Sequence, residues 1–180
     1  MSSALYMLLC VSVLGAADTA YYHEWRARLP TMGRAAATEL RLHAARDVVY
    51  AMLFVCLPWF VLEGAYVWVL IALLVTEVIL TLWDFVVEDW IRKPLGGVYP
   101  GERIMHALIG IAYGAMLAKL WPVLHASWTM PSAVRASVAV GSPLRWTFAV
   151  MALIVLISAI RDASASAGFK AAAWPWQMQA

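Results

Sequence analysis

Long runs of apolar residues, separated by short polar segments, set the pattern of this chain. Five of the runs are long enough to cross a bilayer as a helix, which needs about 20 apolar residues. The segments between them hold Pro and Gly residues typical of helix ends, as in "RARLPTMG" and "RKPLGGVYPG". We therefore predict an all-α fold, a polytopic membrane helical bundle with about five transmembrane helices in a single domain. The predicted spans are residues 4–22, 34–62, 66–90, 101–121 and 144–163.

Composition agrees with this pattern. Of the 180 residues, 64% are hydrophobic and 13% are charged, whereas a soluble domain has about half apolar and about a quarter charged residues. Five spans leave no length for a separate soluble domain, so the lipid bilayer is the expected partner. A net charge of +2 is too small to indicate nucleic acid. The first apolar run lacks the Lys or Arg that precedes a secretory signal, so we expect it to be retained as a span.

The basic residues predict the orientation. With five spans, ten Lys and Arg residues fall on the side that holds the first and third connections and the C-terminal tail, against three on the other side. Cytoplasmic segments carry an excess of Lys and Arg. The N-terminus is therefore expected outside and the C-terminus in the cytoplasm.

Acidic residues and histidines gather toward the same predicted cytoplasmic end. An ionised group at the bilayer centre costs about 2.5–3.5 kcal/mol on insertion scales. This number of acids therefore needs compensating charges. Residues four apart share a helix face, which pairs Glu39 with His43 and Glu102 with His106. The third span carries its acids at intervals of seven and four, which predicts a stripe of Glu77, Asp84 and Glu88.

A metal centre is one way to compensate these acids. Carboxylates and histidines that project inward from facing helices bind two iron or manganese ions in helical bundles. The predicted metal ligands are His23, Glu39, His43, Asp84, Glu88, Glu102 and His106. The usual spacing is Glu-x-x-His, whereas this chain has Glu-x-x-x-His twice. We expect two iron ions, with manganese or zinc as alternatives, in an oxidoreductase that activates oxygen and acts on a lipid-soluble substrate. Tyr50 and Tyr113 are the candidate catalytic residues near the metals.

Other hypotheses remain open at this point. The acids can pair with Arg41, Arg46, Arg92 and Arg103 in a network without metal. Haem, held by His43 and His106, is a further possibility that leaves the acids unexplained. Glu77, Asp84 and Glu88 also fit a relay in a proton- or ion-coupled transporter, because intramembrane acids mark ion paths. An accessory subunit, a partner redox protein and a homo-oligomer are also compatible with the sequence.

Four stretches resemble a group of small bacterial integral-membrane proteins of uncharacterised function. They are "DTAYYHEWRARLP", "ELRLHAARD", "TLWDFVVEDWIRK" and "ERIMHALIGIAYGAML", and they cover most of residues 18–120. The resemblance implies a small bacterial membrane protein, and we expect it in the inner membrane. It supplies no activity, so the site is predicted from residue spacing.

The orientation is tested by cysteine labelling in a protein whose Cys10 and Cys56 are replaced by alanine. A cysteine at Gly96 should react with a membrane-impermeant maleimide only after the cells are permeabilised, because its connection is predicted to be cytoplasmic. A cysteine at Ser132, in the connection predicted on the opposite side, should react in intact cells. The reverse pattern would overturn the predicted orientation.

Overall fold

The computed structural model describes residues 1–177, and the fold is nearly all-α, as predicted. The α-helices are α1 (Ser2–Asp18), α2 (Leu29–Met32), α3 (Ala37–Trp59), α4 (Val67–Ile91), α5 (Pro100–Trp128) and α6 (Ser142–Ser166). A π-helix, Thr19–Arg26, continues α1 without a break. Short 3-10 turns cover Gly33–Ala36, Gly64–Tyr66, Lys93–Leu95, Lys170–Ala172 and Pro175–Gln177.

Four helical segments are long and apolar enough to cross a membrane: Ser2–Arg26, Gly64–Ile91, Pro100–Trp128 and Ser142–Ser166. Large apolar side chains such as Leu82, Ile111 and Ile157 are more than half exposed on these helices. An outer surface of this kind suits lipid rather than water. The chain is therefore a membrane protein. The remaining long helix, α3, is comparable in length but carries Glu39, His43, Arg46 and Asp47 in its first half.

The observed bounds differ from the predicted spans at several ends, and the first helical segment, for example, continues to Arg26 instead of ending at residue 22. The second span was predicted to end at residue 62, but α3 ends at Trp59 and a strand, β1 (Phe60–Glu63), follows. The fourth was predicted to end at residue 121, but α5 continues through Pro122 to Trp128. Proline is tolerated inside membrane helices, which explains why Pro122 does not end α5. Part of the following predicted loop forms a second strand, β2 (Ala133–Ala136).

Packing brings five helix ends together. Helix α3 packs mainly on α6 and α4, and α1 packs on α5. Leu53 and Phe54 of α3, Met116 and Leu120 of α5 and Phe148 of α6 are almost fully buried in the shared apolar core. The polar ends of α1, α4 and α6 and the polar starts of α3 and α5 consequently meet at one end of the bundle, which we call the polar end.

The opposite end is closed by a two-stranded antiparallel sheet in which Phe60 pairs with Ala136 and Glu63 with Ala133. Glu63 also forms an ion pair of 2.9 Å with Arg135. Gly64 follows β1 with a φ of +59°, and a Cβ atom there would lie 2.6 Å from Ser132. Only glycine fits this contact between the two connections.

Replacing Gly64 by alanine should therefore destabilise the protein. The left-handed φ costs about 1–2 kcal/mol for a residue with a Cβ atom, and overpacking adds about 1–3 kcal/mol. Gly96→Ala is the matched control, because Gly96 has a φ of +89° but nothing within 4 Å of its Cβ position. Thermal unfolding in detergent should show the larger loss for Gly64→Ala, and equal losses would mean that the Ser132 contact is unimportant.

Candidate metal centre

The π-helix places Asp18 and His23 together at the polar end. Its widened turn is visible in the hydrogen bond from the Ala27 amide to the Tyr22 carbonyl, five residues back, at 2.8 Å. Five-residue spacing therefore returns to the same face in this segment, and His23 Nε2 lies 3.6 Å from Asp18 Oδ2. Both side chains are at most 5% exposed. π-Helical turns are rare and occur frequently at functional sites.

The other helices present similar pairs at their ordinary spacing. Glu39 and His43 lie one turn apart near the start of α3, and Glu102 and His106 lie one turn apart near the start of α5. The end of α4 supplies Asp84 and Glu88. All the predicted metal ligands are therefore at the polar end, and only the side chain of His106, at 12%, is more than 6% exposed.

Three sets of ligand atoms lie within 4.8 Å of one another. They are Asp18 with His23 and His106, His23 with Glu39 and His43, and Glu88 with Glu102 and His106. The shorter distances include 3.1 Å from His23 Nε2 to Glu102 Oε1 and 3.3 Å from His106 Nδ1 to Glu88 Oε1. Two ligand atoms on one transition-metal ion, each about 2.0–2.2 Å from it, lie about 3–4 Å apart. The separations in the cluster are of the size that metal ligands have.

Many polar atoms in this cluster are buried without a hydrogen bond. Within residues 1–177, these atoms are Asp18 Oδ1, both ring nitrogens of His23, His43 Nε2, Asp84 Oδ1, Glu88 Oε2, Arg92 Nη1 and both carboxylate oxygens of Glu102. Buried polar side-chain atoms normally have a partner, and an unpaired one costs about 1–3 kcal/mol. The unpaired carboxylate and imidazole atoms of this cluster are therefore candidates for binding a metal ion.

Arg92 is the basic group inside the cluster, and its side chain is 1% exposed. Its Nε and Nη2 donate to Glu39 Oε1 at 3.0 and 2.8 Å, and Nη2 lies 3.4 Å from Glu102 Oε1. Burial alone would lower the pKa of Arg92, but the hydrogen bonds to Glu39 and the charges of Glu39, Glu102 and Glu88 outweigh burial and raise the pKa above its usual value. Arg92 thus holds two candidate ligands in position.

Asp84, which was predicted as a metal ligand, contacts His43 and Arg46. Asp84 Oδ2 lies 3.1 Å from His43 Nε2 and accepts a hydrogen bond of 3.1 Å from Arg46, and Asp84 belongs to none of the three sets. A carboxylate that contacts a ligating histidine fixes its ring orientation and tautomer. Asp162 approaches the other ring nitrogen of His43, at 3.9 Å.

The two tyrosines predicted to be catalytic lie away from the cluster. Tyr50 donates a hydrogen bond of 2.9 Å to Glu77, Thr81 donates one of 2.8 Å to the same oxygen, and Tyr113 contacts the Leu74 carbonyl at 3.5 Å. Glu77 is seven residues before Asp84 on α4, which corresponds to about 10 Å along the helix. The sequence thus predicted one polar stripe where the structure has two separate groups.

Sequence spacing missed Asp18 as a member of the centre. The distance of five residues from Asp18 to His23 does not return to the same face of an α-helix, so the pair did not match the pattern of Glu39 with His43. Recognising the π-helix would have found Asp18. The pairing of Arg92 with an acid was expected only in the hypothesis without metal.

Comparisons with known proteins add no homologue. No protein-family model, curated protein or solved structure matches the chain.

Replacing Arg92 by glutamine should destabilise the protein strongly. Loss of one partner of a buried ion pair costs about 3–5 kcal/mol, because the other charge remains buried. Arg103→Gln is the control, since Arg103 and Asp89 form a 3.4 Å pair with both side chains more than half exposed, and such pairs contribute at most about 1 kcal/mol. Thermal unfolding in detergent compares the two, and similar stability of both variants would contradict the role given to Arg92.

Proposed function

We propose that this chain is an integral-membrane metal protein with a two-metal, di-iron-type carboxylate–histidine centre, and that it is an oxidoreductase acting on a lipid-soluble substrate. The observation that carries the proposal is the group of carboxylates and imidazoles whose ligand atoms lie within 4.8 Å of one another, several of which, such as both carboxylate oxygens of Glu102, are buried without a hydrogen-bond partner among the described residues.

Two metal ions account for the arrangement better than one. The set of His23, Glu39 and His43 and the set of Glu88, Glu102 and His106 share no residue, so each can hold its own ion. Asp18 connects them, because its Oδ2 lies 3.2 Å from His106 Nε2 and 3.6 Å from His23 Nε2. Helical bundles bind paired iron or manganese ions with comparable carboxylates and histidines.

Charge balance supports divalent ions. Asp18, Glu39, Glu88 and Glu102 are buried carboxylates, and Arg92 is the basic side chain buried among them. The four carboxylates and Arg92 together carry a charge of −3, and two divalent cations would bring the group to +1, which is closer to neutral in a medium of low polarity. Asp84 is compensated separately by Arg46, which explains how it remains charged outside the three sets.

The donor atoms limit the choice of metal. Mixed carboxylate and imidazole ligands suit iron, manganese or zinc, whereas a soft thiolate site is not available because Cys10 and Cys56 lie apart from the cluster within the spans. Two bound iron ions would supply redox chemistry with dioxygen. The protein residues would hold the ions, with Arg92 orienting Glu39 and Glu102, Asp84 orienting His43, and the apolar helices excluding water.

The position of the cluster in the bundle supports a membrane-facing substrate. It lies at one end of helices that suit a lipid environment, and the basic-residue bias supports a cytoplasmic position for that end in the proposed inner membrane. Among the ligand side chains, His106 is the most exposed. A substrate dissolved in the bilayer would approach the centre on the side of His106.

A haem held by His43 and His106 receives less support. The His23 ring lies 4.6 Å from the His43 ring and 6.3 Å from the His106 ring, so a porphyrin that joined the outer two would meet His23. It would also leave the acids uncompensated.

A transporter is the second candidate, favoured by Glu77. This carboxyl is 3% exposed, is held by hydroxyl groups of Tyr50 and Thr81, and has no Lys or Arg within ion-pair distance in residues 1–177. An acid of this kind is typical of proton paths. The relay from Glu77 to Asp84 and Glu88 is nevertheless interrupted, because no hydrogen bond of the described residues joins Glu77 to Asp84.

Metal analysis of the purified protein tests the proposal. Protein expressed with iron and manganese available should carry about two ions per chain, as expected for a two-metal site. The double variant His43→Ala and His106→Ala removes one ligand from each independent set and should lose most of the metal. His125→Ala is the matched control, because His125 packs against Trp121 and Trp128 outside the cluster and should leave metal content unchanged.

Two results would contradict the proposed metal centre. The first is an unmodified protein that carries well under one ion per chain, which would leave the acids compensated by arginines and protonated histidines alone. The second is a double variant that retains its metal while remaining folded, as judged by helical circular dichroism.

A further inference from the structure

We infer that the cavity between α4 and α5 binds a single-chain amphiphile with an anionic head group, and that this cavity presents the carbons next to the head to the proposed metal centre. The inference rests on the proposed function only for the second part, because the cavity itself is defined by residues that are mostly not metal ligands. Its volume is about 500 Å³. Its lining residues are Phe85, Glu88, Asp89, Val98, Arg103, His106, Ala107 and Gly110.

The cavity extends along α5 from its polar start toward its apolar part. Arg103 and Gly110 mark its two ends and are seven residues apart, which corresponds to about 10 Å of helix. Over its whole length, α5 packs more closely on α1 than on α4. The neighbouring side chains Val86 on α4 and Ile111 on α5 are at least 60% exposed, so the cavity opens toward lipid.

The inner part of the cavity suits a hydrocarbon chain. The ring of Phe85 stacks on the ring of His106, with the ring centres 4.8 Å apart and an angle of 13°, and this stacked pair lines the cavity. Gly110 lies one helical turn above His106 on the same face, and nothing lies within 4 Å of its Cβ position. The absence of a side chain at Gly110 keeps the space next to His106 open.

The outer part of the cavity suits a carboxylate head. Arg103 directs only Nη2 toward Asp89, at 3.4 Å, and its side chain is 62% exposed, so most of its five donors are available. Guanidinium groups bind carboxylates with two parallel hydrogen bonds, which are stronger than the single long contact with Asp89. A head at Arg103 and a tail near Gly110 leave His106 and Glu88 beside the first carbons of the chain.

Photolabelling of the full-length protein in detergent tests this site. The probes are a palmitate analogue with a diazirine close to the carboxylate and the corresponding hexadecanol analogue. Palmitate should label Phe85, Ala107 or their neighbours, and the uncharged alcohol should label about tenfold less, as expected for loss of a hydrogen bond to a charged group.

Two pairs of variants identify the determinants. Gly110→Leu should abolish labelling because its side chain fills the space over His106, whereas Gly114→Leu, which has equally open surroundings and does not line the cavity, should retain it. Arg103→Gln should reduce labelling about tenfold, whereas Asp89→Asn should retain or increase it by removing the competing carboxylate.

Metal content measured on the same samples separates this inference from the proposed function. Labelling that is equal in Gly110→Leu and Gly114→Leu, or that depends on Asp89 rather than Arg103, would overturn the binding site even if two metals are present. Specific labelling of a protein without metal would support the binding site and refute the metal centre.

Discussion

The compensation of buried carboxylates is the constraint on which the rest of this structure depends. Asp18, Glu39, Asp84, Glu88 and Glu102 are each at most 4% exposed, and they meet in a protein whose surroundings include lipid. Leaving such charges unpaired would cost far more than the 5–15 kcal/mol, roughly, by which proteins are stable. Arg92 and Arg46 compensate part of the charge, and the proposed cations compensate the rest. Ligand geometry and stability are therefore two consequences of one electrostatic requirement.

Local helix geometry determines which atoms meet. On α3, α4 and α5, two residues four apart lie on the same helix face because about one α-helical turn separates them. The π-helix does the same for Asp18 and His23 at a spacing of five. Arg92 follows the last residue of α4 and reaches Glu39 of α3 and Glu102 of α5, so a single side chain ties three helices together at the polar end. The stacked rings of His23 and His43 join α3 to the extension of α1. The cavity between α4 and α5 opens next to this tie and leads to His106.

Much of this architecture could be predicted from apolar runs and their interruptions, because the bilayer demands long helices and tolerates few charges. The pairing of Glu39 with His43 and of Glu102 with His106 followed from helical periodicity in the same way. Periodicity could not predict the π-helix, and it therefore missed Asp18. It also could not separate Glu77 from Asp84, because a shared face does not fix which neighbouring helix each residue contacts. Strands β1 and β2 depend on a long-range pairing between residues 60–63 and 133–136, which no local pattern contains.

X-ray absorption at the edge of the metal that copurifies tests the central claim most directly, because it reports the ligands and the neighbouring metal together. The account predicts nitrogen and oxygen ligands at about 2.0–2.2 Å and a second metal at about 3.5–4 Å. The His23 side chain contacts both sets of ligands, so the account also predicts that the variant His23→Ala loses the metal–metal signal. A spectrum with sulfur ligands, or with a single metal ion surrounded only by water oxygens, would contradict the account.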